Sequence, residues 1–469
     1  MPHTHTRRAH RAHRAAAVRR AALRAALLAA PLGACSLDLQ NPNAPTEPQV
    51  TTSPDGVIAL ATGLQGRFAT SYGNFAYTAG LVTDELASTS ASLISISDAE
   101  QGAVPSGTAI ADAVFNSVYR TVRTADDLLA GADALRDQLD PGTRSGLRAL
   151  AFALKAEALG EALQSYQRIP VETYNVAAPQ YVGRAQALPV IRALLDSAAA
   201  SIAATPPSAF FNANILTPGV SLPNVIQLFR ARYARMANDH QTALAASNLV
   251  ARTGPAALSQ FQFPAPTINP WANVTGGING VLPRRQYRLS AAAGDQRPAW
   301  FVSPATTTGR VGALLDNWAR FGNPQAPLPV YLPDEALLIK AEALVNLGQL
   351  PAAQAALDSV RTDCAGGRGL DDPKACLASL AGQLSQADLL SEIYAQRRYE
   401  LFSTGLRWED ARRRNAIRGP VAAPGVPVDG QRCWLPYAVG DRNANPNATF
   451  AALPDPAEPA SFPSGCATQ

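Results

Sequence analysis

Apolar positions recur along this chain with the period of a helix. In residues 335–347, EALLIKAEALVNL, the positions Leu337, Ala341, Leu344 and then Gly348 fall at spacings of four, three and four, which is one helical face. Gly348 ends that helix. Pro351 suits the first turn of the next one, PAAQAALDSVRTD, because proline's missing N–H is not needed there. The pattern predicts a hairpin of two helices. The design repeats 110 residues earlier: aligning ARYARMANDHQTALAASNLV (231–250) with AEALVNLGQLPAAQAALDSV (341–360) pairs Ala231 with Ala341, Ala243 with Ala353, Ala245 with Ala355, Ala246 with Ala356 and Val250 with Val360. Small residues at these places let antiparallel helices approach closely.

The offsets from Ala341 to Gly348, Ala353 and Leu357 match the small and apolar positions of a tetratricopeptide unit. Further helices are expected at 109–139, paired with 143–166, and at 185–204, beside the 223–252 hairpin. Between these blocks lie segments rich in Pro, Gly, Asn and aromatics, at 72–108, 206–222, 254–310 and 419–469. Structureless stretches of that length are uncommon in compact domains unless they carry function. The fold class expected is therefore mainly α, a scaffold of tetratricopeptide-like hairpins with long irregular insertions. No linker divides residues 54–469, which read as a single body.

The N-terminus follows a different logic. Residues 1–34 hold seven arginines and no acid, then a short apolar run from Ala25 to Ala34. That is the layout of an export signal, and the run is far shorter than the roughly 20 residues of a spanning helix. Leu32-Gly33-Ala34-Cys35 looks like a bacterial lipobox, with Cys35 as the lipidated residue. Pro31 upstream and the polar segment 35–53 downstream, a tether with three prolines after Cys35, favour this over ordinary cleavage beside a coincidental cysteine.

Removing the signal changes the charge. The remaining chain carries 33 Lys+Arg against 36 Asp+Glu, so the basic balance belongs to the discarded segment and a nucleic-acid-binding role loses its electrostatic footprint. Of five histidines only His240 remains, which disfavours His-based metal sites and Ser-His-Asp catalysis. Four cysteines besides Cys35 read as disulfides in an exported chain; the spacing favours Cys364 with Cys376 and Cys433 with Cys466, and no C-x-x-C supports zinc. No phosphate-cradling G-x-x-x-x-G-K-[ST] run occurs. Neither a catalytic residue, a metal site nor a cofactor is expected. A glycoside hydrolase built on two carboxylates remains an alternative, since separations between acids cannot be read from sequence.

Residues 389–414, LLSEIYAQRRYELFSTGLRWEDARRR, resemble the signature of the SusD/RagB family of surface lipoproteins. Glu392, Ile393, Arg397, Arg398, Glu400, Leu401, Gly405, Arg407, Trp408, Asp410 and Arg413 stand in the matching places, while Gln396 and Thr404 stand where the family usually has an acid. Asn41-Pro42-Asn43, the 333–361 hairpin, and Trp434-Leu435-Pro436-Tyr437 followed by Asn445-Pro446-Asn447 are similar to other stretches of the family, with Tyr437 and Ala438 departing from its pattern. The charges of the signature read more readily as paired ions locking a helix to the scaffold than as a ligand site.

The resemblance implies a lipid-anchored outer-membrane protein facing the cell exterior, attached to the membrane through its lipid alone. Such a protein captures an oligomeric nutrient, most simply an oligosaccharide, and passes it to a TonB-dependent, SusC-like transporter. Peptide cargo and a helical protein-binding scaffold are the alternatives. It also implies shallow sites of aromatic rings with polar neighbours. The loop residues that fit are Tyr72, Phe75 and Tyr77 near Asn74, Trp271 near Asn273, Tyr287, and Trp300. Trp318, inside an apolar run, is expected in the core.

Overall fold

The computed structural model describes residues 51–83, 85–102, 104, 107–274, 280–364, 370–414 and 432–447. All fall in one unit, Val50–Gln469; the other, Met1–Gln49, which holds the expected signal and Cys35, lies outside the described residues.

Helix α1, Pro54–Leu81, opens with Pro54 at its first position, and the Ser53 hydroxyl accepts from the Gly56 N–H at 3.1 Å. Side-chain capping of this kind satisfies an otherwise orphan donor. The loop expected from residue 72 begins ten residues too early, because α1 continues to Leu81. Its buried positions Ala61, Leu64, Phe68, Tyr72, Phe75 and Ala79 keep the helical spacing through the turn-like Gly73-Asn74 pair. Core burial outweighs the local preference for a turn.

Helices α2 (Ile94–Glu100), α3 (Ala109–Ala134) and α4 (Pro141–Ser165) follow. Asp140 caps α4 by accepting from Thr143 N–H at 2.8 Å. The last two form the expected hairpin, and α4 is the centre of the body, packed against α1, α3, α5 (Arg184–Ala204) and α7 (Leu222–Met236). Its small residues, including Ala149, Ala153, Ala156 and Gly160, permit this crowding. The short α6 (Ala209–Asn214) interrupts the expected 206–222 loop and inserts Phe211 against Gly146.

The internal repeat is a structural repeat. Helices α7 and α8 (His240–Asn248) form one hairpin, and, beyond the short α9 (Gln286–Leu289) and α10 (Arg297–Phe301), α11 (Asp334–Asn346) and α12 (Leu350–Arg361) form the other. In both, the turn between helices places one residue in left-handed backbone: Asn238 at φ 57° and Gly348 at φ 75°, 110 residues apart as the alignment requires. The paired alanines share their environments, with Ala243 and Ala353, Ala246 and Ala356, and Val250 and Val360 buried, and Ala245 and Ala355 both exposed. Helix α8 packs on α11, joining the two units. Helix α13 (Gln386–Glu400) adds Leu389 and Ile393 to the apolar cluster of the second hairpin, and α14 (Leu406–Arg413) returns to α1.

The 254–310 insertion is less irregular than its composition implies. Paired strands form four two-stranded antiparallel sheets among the described residues: Leu86–Ser88 with Val281–Pro283, Arg168–Pro170 with Tyr181–Gly183, Gln260–Phe261 with Leu328–Pro329, and Val302–Thr308 with Leu314–Trp318. In the last, Val302 stands opposite Trp318 and Thr308 opposite Leu314, with an irregularity between Ser303 and Thr307. Cys364 and Cys376 form the expected disulfide; Cys466, the expected partner of Cys433, lies outside the described residues.

Gly160 shows how tight the centre is: a Cβ there would lie 1.6 Å from the Tyr233 hydroxyl. Gly160→Ala is expected to destabilise the protein by about 3 kcal/mol through overpacking. Gly66→Ala, in the same kind of backbone but with nothing within 4 Å of the new methyl, should stabilise by about 1 kcal/mol. Urea unfolding midpoints of the two variants check the pair, and equal shifts would contradict it.

Candidate functional site

The charges of the 389–414 signature are consumed by the scaffold. Arg397 Nε donates to Asp410 Oδ2 at 2.6 Å, and Arg235, from α7 of the first hairpin, donates to Asp410 Oδ1 at 2.7 Å while also pairing with Glu342 of α11. Arg184 holds Glu409 in a two-pronged pair, and Arg412 donates to the carbonyls of Cys433 at 2.8 Å and Gln164 at 2.7 Å. One turn along α7, Arg232 grips Glu335 through two bonds of 2.7 Å and reaches Glu157 of α4. All these ions are buried.

Burial pushes the carboxyls of Asp410 and Glu409 up, but the guanidiniums beside them, Arg397 and Arg235 for the former and Arg184 and Arg412 for the latter, bring each down to about 2. Burial dominates for Glu157 and Glu161, whose carboxyls are raised.

The remaining signature positions are structural in the same sense. Trp408 is buried and its indole N–H donates to the Arg432 carbonyl at 2.6 Å. Gly405 adopts φ +84°, and a Cβ there would lie 2.4 Å from the Phe75 ring. Arg398 lies 5.9 Å from the Tyr399 ring centre, and Arg407 is half-buried. At Gln396, where the family has an acid, the amide oxygen accepts from Arg297 at 2.7 Å, and Glu400 lies 3.7 Å from the same guanidinium. A neutral acceptor replaces the carboxylate there. Thr404 turns its hydroxyl to the Leu401 carbonyl at 2.7 Å.

Most rings expected on the surface are inside. Tyr72 is 6% exposed, and Phe75, at 2%, wedges against Gly405. Trp271, 1% exposed, packs against Trp318 at 5.1 Å and Phe321 at 6.2 Å. Tyr287, 2% exposed, stacks on Phe402 at 3.7 Å and donates to the Tyr399 carbonyl. These four are corrected to core residues: large rings recover more from packing on one another than from a loop surface. Trp318 is in this core, as expected. Tyr77 and Trp300 are half-buried, but the upper face of Trp300 is taken by Arg320, 4.5 Å from the ring centre, and its N–H donates to Asp371 at 3.0 Å. Asn273 is exposed.

The structure gathers polar groups elsewhere, around Asn74. Gly131 near the end of α3 contacts Val57 and Thr51 at the start of α1, while Arg67 to Asn74 share a groove with Ala113 to Arg120, so α1 and α3 run antiparallel. Between their outer faces lies a groove of about 380 Å³, lined by Arg67, Thr70 and Asn74 of α1 and by Ala113, Asn116, Ser117 and Arg120 of α3. Pro270 rests on the adjacent Gly73, where a Cβ would be 2.4 Å away, so the segment leading to Trp271 and Asn273 crosses α1 at this level. Of the lining residues only Asn74 was legible from sequence as a candidate. The signal for the others is the spacing of polar positions, 67, 70 and 74 on one helix and 113, 116, 117 and 120 on the next, one stripe on each. Such stripes are indistinguishable from solvated faces until the helices are paired.

Paired helices locked by buried ions, with loops between them and a polar groove on one flank, define a helical scaffold of the SusD-like kind. The SusD family's sequence model matches residues 320–429. The fold is shared with a SusD-like carbohydrate binding protein from Bacteroides vulgatus, at 15% identity and a TM-score of 0.64 over 85% of this chain and 98% of that one. It is shared equally with SusD superfamily proteins from Bacteroides fragilis (16%, 0.63, 85% and 100%) and Bacteroides thetaiotaomicron (15%, 0.63, 84% and 98%). No curated protein sequence matches. The signature region thus matches the SusD family model, and the fold is that of SusD superfamily structures.

The ion network makes a pH prediction. Asp410 and Glu409 have folded values near 2, below their ordinary 3.8 and 4.5, so the stability they supply is complete above about pH 4.5 and is lost as pH falls toward 2. Asp410→Asn is expected to cost about 3–5 kcal/mol at pH 7, because Arg397 is left buried without its carboxylate. Chemical denaturation from pH 7 to 2.5 should show the gap between the two proteins narrowing below 4.5. The raised carboxyls Glu157 and Glu161 have the opposite dependence and cancel in this difference. A gap that stays constant with pH would contradict the assignment.

Proposed function

We propose that this protein captures oligosaccharides at the outer surface of the outer membrane, anchored through Cys35, and hands them to a TonB-dependent, SusC-like transporter. The observation that carries the reading is the groove between α1 and α3. It offers amide, hydroxyl and guanidinium groups on two rigid helices, and among the described residues no hydrogen bond or ion pair engages the side chains of Arg67, Asn74, Asn116 or Arg120. Buried or partnered polar groups are the rule inside this protein, so four unengaged ones around a single concavity fit hydroxyl-rich cargo. The match of residues 320–429 to the SusD family model agrees, and two of the structures sharing the fold, both from Bacteroides vulgatus, are named as carbohydrate or putative sugar binding proteins. Among the described residues no carboxylate lines the groove, which suits binding and release without bond cleavage. The buried rings Tyr72, Phe75, Trp271 and Tyr287 have no place in contact with cargo; Asn74 and Asn273 are assigned that role, with Trp300 and Tyr77 at more distant edges.

The protein applied to an oligosaccharide array is expected to bind at least one member. Asn74→Ala should weaken that binding by about two- to tenfold, the loss of one or two hydrogen bonds, with an unchanged melting temperature. A blank array, or binding indifferent to the substitution, would count against the groove. Cys35→Ala should release the protein from the membrane fraction and abolish co-purification with the transporter.

A further inference from the structure

Arg67 and Arg120 are set against each other. The contact of Gly131 with Val57, together with the groove shared by the middle of α1 and the start of α3, sets an antiparallel register, which followed along the two helices brings Arg67 opposite Arg120, Thr70 opposite Ser117 and Asn74 opposite Ala113. Two guanidiniums therefore share one end of the groove. Among the described residues no carboxylate neutralises either. This is unlike the arginines of the interior, where Arg184, Arg232, Arg235 and Arg397 each grip a carboxylate. Like charges at close range repel, and an oxyanion between them removes the repulsion while accepting the forked N–H groups that guanidinium presents.

The geometry points to a saccharide bearing an oxyanion, a uronate carboxylate or a sulfate ester, seated with its charged group between Arg67 and Arg120. The rest of the sugar then runs toward Asn74. Thr70, Asn116 and Ser117 lie along that path; the Ser117 hydroxyl donates to the Ala113 carbonyl at 2.7 Å, leaving its oxygen to accept from a sugar hydroxyl. Among the described residues no aromatic ring lines the groove, so a nucleobase would find nothing there to stack on, and a nucleic acid is disfavoured as the source of the anion. This assignment rests on the oligosaccharide-capture reading and narrows it to an acidic class.

Calorimetric titration of the purified full-length protein separates the two levels. The probes are a galacturonate trisaccharide, the neutral galactose trisaccharide, its sulfated derivative and triglutamate. Expected is binding of the galacturonate or the sulfated sugar at least about tenfold tighter than the neutral one. Which of the two is preferred identifies the oxyanion. Arg67→Gln and Arg120→Gln should each remove most of that preference, without changing the melting temperature, and added salt should weaken the acidic sugar more than the neutral one. Equal binding of acidic and neutral sugars, or a preference indifferent to both substitutions, overturns the acidic assignment and leaves saccharide capture standing. Triglutamate bound as tightly as the acidic sugars overturns the saccharide class. Absence of binding to every saccharide overturns both readings.

Discussion

The structure hangs on arginines taken out of water and matched to carboxylates supplied by other helices. Arg232 joins α7 to α4 through Glu157 and to α11 through Glu335; Arg235 joins α7 to α11 through Glu342 and to α14 through Asp410. Each guanidinium is thereby a joint between elements distant in sequence. Ion pairs of this kind add little net stability, since desolvation consumes much of the attraction. Their effect is on geometry: a carboxylate displaced by one turn of helix leaves a bare charge in the interior. The two hairpins are consequently held in one relative position, and the same network fixes the signature helix against both.

That network explains why a motif dense in charge offers little to an external ligand. Every carboxylate of the pair Glu409-Asp410 is answered from within, and Trp408 and Gly405 serve packing. A surface that recognises something external needs groups left unanswered, and these occur on the flank formed by α1 and α3. Rigidity at the centre and unengaged donors at the edge are complementary, because polar groups on well-packed helices lose little freedom when they meet a ligand.

How much of this could be read in advance depended on whether a signal was local. The hairpins were legible because alanine and leucine recur with helical period and because Gly348 and Pro351 mark a stop and a start. Cys364 with Cys376 was legible from spacing alone. The loop boundary at 72 was not, since Gly73-Asn74 looks like a turn and only the burial of Tyr72 and Phe75 keeps the helix going. Those rings were mistaken for surface groups for the same reason. The groove was least legible: the stripes on α1 and α3 are ordinary polar faces until Gly131, by lacking a side chain, lets Val57 approach and sets which residues confront each other.

The approach of Phe75 to Gly405 unites the two ends of the body. An edge of the ring occupies the space where any larger residue would carry its first carbon, so α1 cannot complete its packing until the last signature helix has been synthesised and delivered. Contacts of such great sequence separation form late and slow a chain's descent to its native state. Final seating of the amino-terminal helix is thereby coupled to the arrival of the carboxy-terminal one.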